Sequence, residues 1–176
     1  GCCSHGEWQP LIRPLNPKHP EPRTLMRTLF IALLLGIAGL VRAAPPAYDE
    51  TADARAQIQE ALAQAAPDKL AVLVVFGANW CGDCKVLDQA FKEGSTAVLI
   101  AKHFKVVKVN VGRFDRNTEL AESYGVPLKA GIPAVAILSS QGQPTYATRA
   151  GELADARSLG DPGIHRFFSK LLADTK

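Results

Sequence analysis

Cys81 and Cys84 are separated by two residues and follow the apolar run 70–76, which predicts a buried strand. The residues after the pair are apolar at helical spacing, namely Val86, Leu87, Ala90 and Phe91. Residues three apart on a helix share a face, so the two sulfurs can meet and form a disulfide. The start of a helix favours a thiolate, because its unpaired N–H groups and dipole attract negative charge. The pattern predicts a redox-active dithiol, with Cys81 the exposed nucleophile and Cys84 the more buried resolving thiol.

The hydrophobic periodicity predicts a helix before the strand that leads to this pair. One apolar stripe defines it, consisting of Ala54, Ile58, Ala61, Leu62 and Ala65. Pro67 ends this helix. Asp49 or Thr51 is expected to cap its start, and the charge of Asp53 suits its first turn.

The rest of the chain predicts alternating helices and strands. Further strands are expected over residues 106–111, 134–138 and 145–148. Helices are expected from the cysteine pair to about residue 92, over 95–103, over 117–124, and from Asp161-Pro162 onward after an irregular stretch at 151–160. A strand–helix–strand crossover followed by a hairpin and a closing helix predicts an α/β fold. Its central mixed β-sheet is flanked by helices.

The first part of the chain has the composition of a targeting segment. Residues 1–25 are rich in proline and lack periodicity, which is typical of an upstream or disordered segment. Residues 26–43 begin with a methionine followed by a basic arginine and continue with an uncharged apolar run. This layout predicts a secretory signal peptide. Cleavage is expected after Ala43 or Ala44. The alternative is a retained membrane anchor, for which the apolar run is short.

Removing this segment changes the charge of the chain. Five of the twenty basic and two of the seventeen acidic side chains lie in residues 1–43, so residues 44–176 carry no net charge. No basic stripe with interleaved aromatic residues is present, and we expect no nucleic-acid partner.

The cysteine count is also reduced, because Cys2 and Cys3 belong to the first segment and have no expected role. The pair at 81 and 84 then has no structural disulfide framework to explain it, so it performs redox chemistry or binds a metal. A structural zinc site takes four cysteine or histidine ligands, usually as two pairs. Beside the two cysteines, residues 44–176 offer only His103 and His165, which are not paired. We expect neither a metal nor a cofactor.

Two motifs resemble those of the thioredoxin family. Trp80 precedes the cysteine pair to give W-C-x-x-C, and Gly131-Ile132-Pro133 precedes an apolar run as the cis-proline segment of that family does. The resemblance implies a thioredoxin fold over residues 70–176, with residues 44–69 forming an N-terminal extension and an extra helix.

The same resemblance implies roles for the residues of both motifs. Trp80 would flank the sulfurs, with the capping of a core edge as its alternative role. The bond before Pro133 would be cis, and the backbone of Ile132 would pair with an extended client chain. Pro133 would face the disulfide across a gap.

The residues within and after the cysteine pair are expected to tune it. Gly82 and Asp83 lie between the cysteines, where many family members have proline in place of Asp83. The carboxylate favours the helix through the dipole but opposes a neighbouring thiolate. Lys85 could offset that opposition, and the sign of the net effect stays open.

One position departs from the family pattern. Thioredoxins carry a buried aspartate six residues before the first cysteine, where this chain has Val75. Lys108 matches the lysine beside that aspartate, and without an acidic partner it is interpreted as a strand-end charge. The acceptor for the proton of Cys84 is therefore open between Asp83 and water.

The resemblance implies a thiol–disulfide oxidoreductase that reduces disulfides of client proteins, and the expected signal peptide implies that it is exported, for example to a periplasm. A monomer is expected. Only 48 residues separate Cys84 from Pro133, too few for the helical insert of dedicated oxidases. The reductase direction is therefore favoured, with oxidase and isomerase as the alternatives. A reductase in an oxidising compartment implies a membrane-embedded thiol electron donor. The alternative is a non-catalytic binding or metal-delivery module, and the lack of methionine after Met26 argues against copper delivery.

Overall fold

The computed structural model describes residues 45–174 of the chain. The expected upstream segment 1–25, the signal peptide 26–43 and the cleavage site at Ala43 or Ala44 lie outside the described residues. Within the described range, no helix is both long enough and apolar enough to span a bilayer.

The helices and strands follow the predicted order. They are α1 (Ala54–Ala65), β1 (Ala71–Gly77), α2 (Gly82–Ala90), α3 (Gly94–His103), β2 (Phe104–Asn110), α4 (Thr118–Ser123), a 3-10 turn (Leu128–Ala130), β3 (Ala134–Leu138), β4 (Pro144–Ala147) and α5 (Ala156–Asp174). The cysteine pair lies at the junction between β1 and α2, as expected.

The four strands form one sheet in the order β2-β1-β3-β4. β1 pairs with β2 in parallel and with β3 antiparallel, and β4 pairs with β3 antiparallel. In this register Val75 of β1 lies between Lys108 of β2 and Val135 of β3. The predicted central mixed sheet flanked by helices, the thioredoxin fold, is confirmed.

The central strand β1 is buried on both faces, so its side chains alternate between two cores. On one face, Val74 and Phe76 belong to the core that also contains Ile58 of α1 and Leu120 of α4. On the other face, Leu73 and Val75 belong to the core that contains Leu87 of α2 together with Ile164 and Phe168 of α5. Packing on both faces fixes the end of β1 and therefore the point at which the chain turns into α2.

The N-terminal extension reaches the turn that precedes the cysteines. The Tyr48 backbone N–H donates to Asn79 Oδ1 at 3.0 Å, and Asn79 Nδ2 donates to the Tyr48 carbonyl at 2.8 Å. The buried Tyr48 ring occupies the space beside Gly77, where a Cβ would lie 2.5 Å from Tyr48 Cζ. Glycine at this position lets the extension pack against the end of β1 and hold the turn in place.

The predicted N-cap of the first helix is corrected. Asp53, and not Asp49 or Thr51, is the N-cap of α1, because the helix begins at Ala54 and the Asp53 carboxylate accepts from the backbone N–H groups of Arg55 and Ala56. Asp49 instead accepts from the backbone and hydroxyl of Thr51.

The closing helix also begins earlier than predicted. One helical turn from Ala156 lies inside the stretch expected to be irregular, and Gly160 then breaks the helix at φ 59° and ψ −179°. That backbone conformation favours glycine. The longer part of α5 follows from Asp161-Pro162, which is where the sequence predicted the helix to start.

Candidate active site

The two cysteines occupy the first turn of α2. Cys81 is the N-cap residue, and its Sγ accepts a hydrogen bond from the Cys84 backbone N–H at 3.1 Å. Cys81 and Cys84 form a disulfide with their Cα atoms 5.2 Å apart. The first sulfur therefore lies at the positive end of the helix dipole, and the second lies one turn further in.

Cys84 is more buried than Cys81, as predicted. Cys81 is nevertheless buried too, and the prediction that it is exposed is wrong. Cys81 is 5% exposed and Cys84 is 0% exposed. The loop before β3 covers the first sulfur, because the Ile132 carbonyl oxygen lies 3.6 Å from Cys81 Sγ.

The loop over the disulfide contains the second predicted motif. The Ile132–Pro133 peptide bond is cis, and β3 begins at the next residue. Gly131 has φ 113°, and a Cβ there would lie 2.7 Å from Ala154 Cβ. A glycine is therefore needed for the loop to lie between the disulfide and the segment before α5.

Trp80 flanks the site, half of its surface (50%) being exposed. Its Nε1–H donates to the Gly112 carbonyl at 2.7 Å, and its ring contacts Phe114 edge to face with centroids 6.0 Å apart. Phe114 is 44% exposed and has φ 67°, a conformation that bulky residues rarely adopt. The turn holds this strained residue through its N–H, which donates to the Val111 carbonyl at 2.8 Å.

Sequence reasoning missed Phe114, because a single aromatic residue in a polar turn gives no periodic signal. The side chain lines a cleft of about 710 Å³ between α4 and the loop that leads to Ile132. The cleft is lined by Phe114, Thr118, Glu122, Pro127, Leu128, Lys129 and Gly131. Phe114 thus connects the surface at Trp80 to this cleft.

Asp83 lies within the cysteine motif and is bound by Arg157 of α5. Its Oδ1 accepts from the Arg157 backbone N–H at 3.0 Å and from Nε at 3.1 Å, and Arg157 Nη2 lies 3.0 Å from Oδ2. The hydrogen bonds from Arg157 hold the pKa of Asp83 below its ordinary value, although burial acts in the opposite direction. The predicted offset by Lys85 is corrected: Lys85 faces solvent, and the cation that binds Asp83 is Arg157.

Lys108 is also corrected, because it has an acidic partner. Its Nζ pairs with Asp88 Oδ1, and Lys92 Nζ lies 2.7 Å from Asp88 Oδ2. Val75 is the register neighbour of Lys108, so the acidic partner of this lysine comes from α2 and not from β1. Burial acts to raise the pKa of Asp88, but the two lysines outweigh it and keep that pKa below its ordinary value.

Sequence reasoning missed Asp88, although a weak signal was present. Asp88 is four residues after Cys84, so the two share one face of α2, and Lys92 lies four residues further on, just beyond the end of the helix. Gly82, the remaining residue of the motif, is the exposed first residue of that helix. Across residues 45–174, no three histidine, cysteine or acidic side chains come together in a group that could hold a metal ion.

Comparison with known proteins places this arrangement in a family. A family model described as thioredoxin-like matches residues 53–140. The solved disulphide isomerase of Xylella fastidiosa Temecula1 is 49% identical to this chain, with a TM-score of 0.70. The match covers 74% of this chain and 99% of the Xylella chain. The chain belongs to the thioredoxin-like family.

Other solved structures match less well. The germline-specific thioredoxin Deadhead of Drosophila melanogaster is 24% identical, over 64% of this chain and 86% of its own, with a TM-score of 0.42. The thioredoxin of Trichomonas vaginalis is 27% identical, over 62% of this chain and 89% of its own, with a TM-score of 0.37. A search of curated proteins finds no match.

The Asp88 ion pairs predict a specific pH dependence of stability. The pKa of Asp88 is lowered in the folded state. The contribution of Asp88 to the free energy of unfolding is therefore present above the unfolded-state pKa of about 3.9, and it is lost as pH falls through the folded-state pKa. Asp88→Asn should lower the free energy of unfolding by about 1–2 kcal/mol at pH 7. The difference from wild type should shrink towards pH 3, as measured by urea unfolding.

Asp68→Asn is the matched control, because it removes an exposed carboxylate outside this cluster. It should change the free energy of unfolding little at either pH. An Asp88→Asn variant whose difference from wild type is as large at pH 3 as at pH 7 would contradict the ion-pair explanation.

Proposed function

We propose that this protein is a thiol–disulfide oxidoreductase that reduces disulfides of exported client proteins through Cys81 and Cys84. The observation that carries this proposal is the disulfide in the first turn of α2, with Cys81 Sγ beside the Ile132 carbonyl. The disulphide isomerase of Xylella fastidiosa, 49% identical over nearly its whole length, supports chemistry of the same kind.

The reaction begins with the reduced protein. The Cys81 thiolate attacks one sulfur of a client disulfide, the client S–S bond breaks, and the released client thiolate takes a proton. Cys84, after losing its proton, attacks the Cys81 sulfur of this mixed disulfide and releases the second client thiol. Two electrons pass to the client, and the Cys81–Cys84 disulfide of the present structure is the oxidised product.

The start of α2 favours the ionised form of Cys81. The Cys84 N–H that donates to Cys81 Sγ at 3.1 Å is positioned to donate to a thiolate as well. The helix dipole adds to this stabilisation, so Cys81 is the better nucleophile of the pair.

The proton of Cys84 requires an acceptor. Asp83 was one candidate, but both of its carboxylate oxygens bind Arg157 and its pKa is lowered, which makes it a poor base. We therefore assign this proton to water.

Client binding is proposed to use the backbone and the aromatic surface beside the sulfurs. An extended client segment can pair with the backbone at Ile132 by strand addition, next to the reacting Cys81. Trp80 and Phe114 form an exposed aromatic pair at the same edge, and the 710 Å³ cleft continues from it. These features suit a client with a large apolar side chain near its disulfide.

The cellular setting is proposed from the sequence. A cleaved signal peptide would deliver the domain to a periplasm or another oxidising compartment, where a membrane-embedded thiol donor would return the dithiol to its reduced form. We propose that the protein acts as a monomer. The competing proposal is a non-catalytic binding or metal-delivery module, which would use the same cleft without turnover.

A turnover assay separates these two functions. The wild-type protein should reduce insulin disulfides with dithiothreitol as electron source, and Cys84→Ser should lose at least 100-fold of that activity, roughly the loss expected when the resolving thiol is removed. Cys84→Ser should also accumulate mixed disulfides with clients, visible on non-reducing gels. Equal inactivity of wild type and variant would favour the binding module.

The direction of the reaction is tested by the reduction potential. Equilibration with glutathione should give a value near that of reducing thioredoxins, about −270 mV. A value near about −120 mV, as for strong periplasmic oxidants, would reverse the proposed direction.

The aromatic surface predicts a defect limited to protein clients. Phe114→Ala should raise KM for insulin about fivefold, the effect of losing roughly 1 kcal/mol of apolar contact, with little change in kcat. Reaction with a small aromatic disulfide, followed by absorbance, should stay within about twofold of wild type.

Val98→Ala is the control, because Val98 is an exposed apolar residue of α3 outside the cleft. It should leave both activities unchanged. If Phe114→Ala slowed the small disulfide as much as insulin, the residue would act on the sulfurs and not on the client.

A further inference from the structure

The start of α5 is tied to the cysteine motif by one arginine. Arg157 binds both oxygens of Asp83 through its guanidinium and binds Oδ1 again through its backbone N–H. The guanidinium also lies beside Gly82, where a Cβ would be 3.6 Å from Nη1. A cation from a distant part of the chain therefore covers the two residues between the cysteines.

The charge balance of the motif depends on this contact. An unpaired carboxylate at Asp83, two residues after Cys81, would oppose the negative charge of a thiolate there. The pairing replaces a single negative charge with an ion pair, whose field falls off faster with distance. Two other charges belong to this surface: Lys85 on the exposed side of α2, and Asp155, which acts on Arg157 from the residue before α5.

We propose that Arg157 is a positioning residue of the dithiol, which binds Asp83 and so prevents this carboxylate from opposing the Cys81 thiolate. This inference rests on the proposed function of Cys81 as a redox nucleophile. The sequence alone leaves open whether Asp83 opposes the Cys81 thiolate, and in this proposal Arg157, not Lys85, decides it.

The consequence for the redox equilibrium follows from the charges. A thiolate that is stabilised in the reduced protein favours the reduced form over the disulfide. Arg157 therefore makes the couple more oxidising than the same motif with a free aspartate. The Arg157 side chain is 67% exposed, so solvent and salt screening limit the effect.

The test measures the ionisation of Cys81 directly. The pH dependence of iodoacetamide alkylation of the reduced protein gives the pKa of Cys81 without any client. Arg157→Gln should raise that pKa by about half a unit and should lower the equilibrium constant for reduction by glutathione about threefold, or about 14 mV. Both differences should narrow in 1 M salt.

Three further single variants and one double variant distinguish this charge effect from a structural one. Arg166→Gln removes an exposed arginine from the same helix and should leave both values unchanged. Arg157→Lys keeps the positive charge, so its Cys81 pKa and its equilibrium constant with glutathione should be closer to those of wild type than the values of Arg157→Gln are. Asp83→Asn should lower the pKa of Cys81, and the double variant with Arg157→Gln should return near the wild-type value.

Two results would overturn the proposal. One is an Arg157→Gln variant whose alkylation profile and potential match those of Arg166→Gln. The other is a double variant whose pKa stays as high as that of Arg157→Gln alone, since the arginine would then act through the fold and not through the carboxylate. Failure to reduce insulin would reject the proposed function but would leave this measurement of ionisation unaffected.

Discussion

The position of the first sulfur depends on the burial of β1 on both faces. Every side chain from Val72 to Phe76 is buried, and β1 pairs with a strand on either side, so the strand cannot shift without exposing apolar surface or breaking the sheet register. Four residues beyond the end of β1, Cys81 caps α2. The helix dipole, the disulfide and the covering loop can act together only because this junction is fixed.

The loop before β3 and the N-terminal extension both support the site. The Ile132 carbonyl reaches Cys81 Sγ because β3 pairs directly with β1, which brings the start of one strand beside the end of the other. Tyr48 and Asn79 exchange two hydrogen bonds on the other side of the turn. The extra N-terminal segment therefore supports the motif, which is more than the addition to the fold that its position in the sequence suggested.

The sequence predicts the features of this protein that depend on local periodicity. It does not predict those that depend on contacts between side chains distant in the chain. The strand 70–76, the dithiol and the strand after Pro133 follow from apolar spacing and short motifs, and their elements are confirmed. The pairing of Arg157 with Asp83 spans 74 positions and leaves no trace in either neighbourhood. The cap of α1 was placed wrongly because several acidic and hydroxyl residues near its start compete for one role, and only the exact first helical residue decides among them.

The substitution of Val75 for the expected aspartate changes the way in which the site carries charge. A buried carboxylate without a cation would titrate together with the nearby thiols, and the two ionisations would be coupled. Here both carboxylates of α2 are bound by cations: Asp83 by Arg157, and Asp88 by Lys92 and Lys108. Their lowered pKa values keep them ionised across the range in which thiols titrate. Neither carboxylate therefore changes its charge in that range, and the cations that bind them lie just beyond the end of α2, on β2 and on α5.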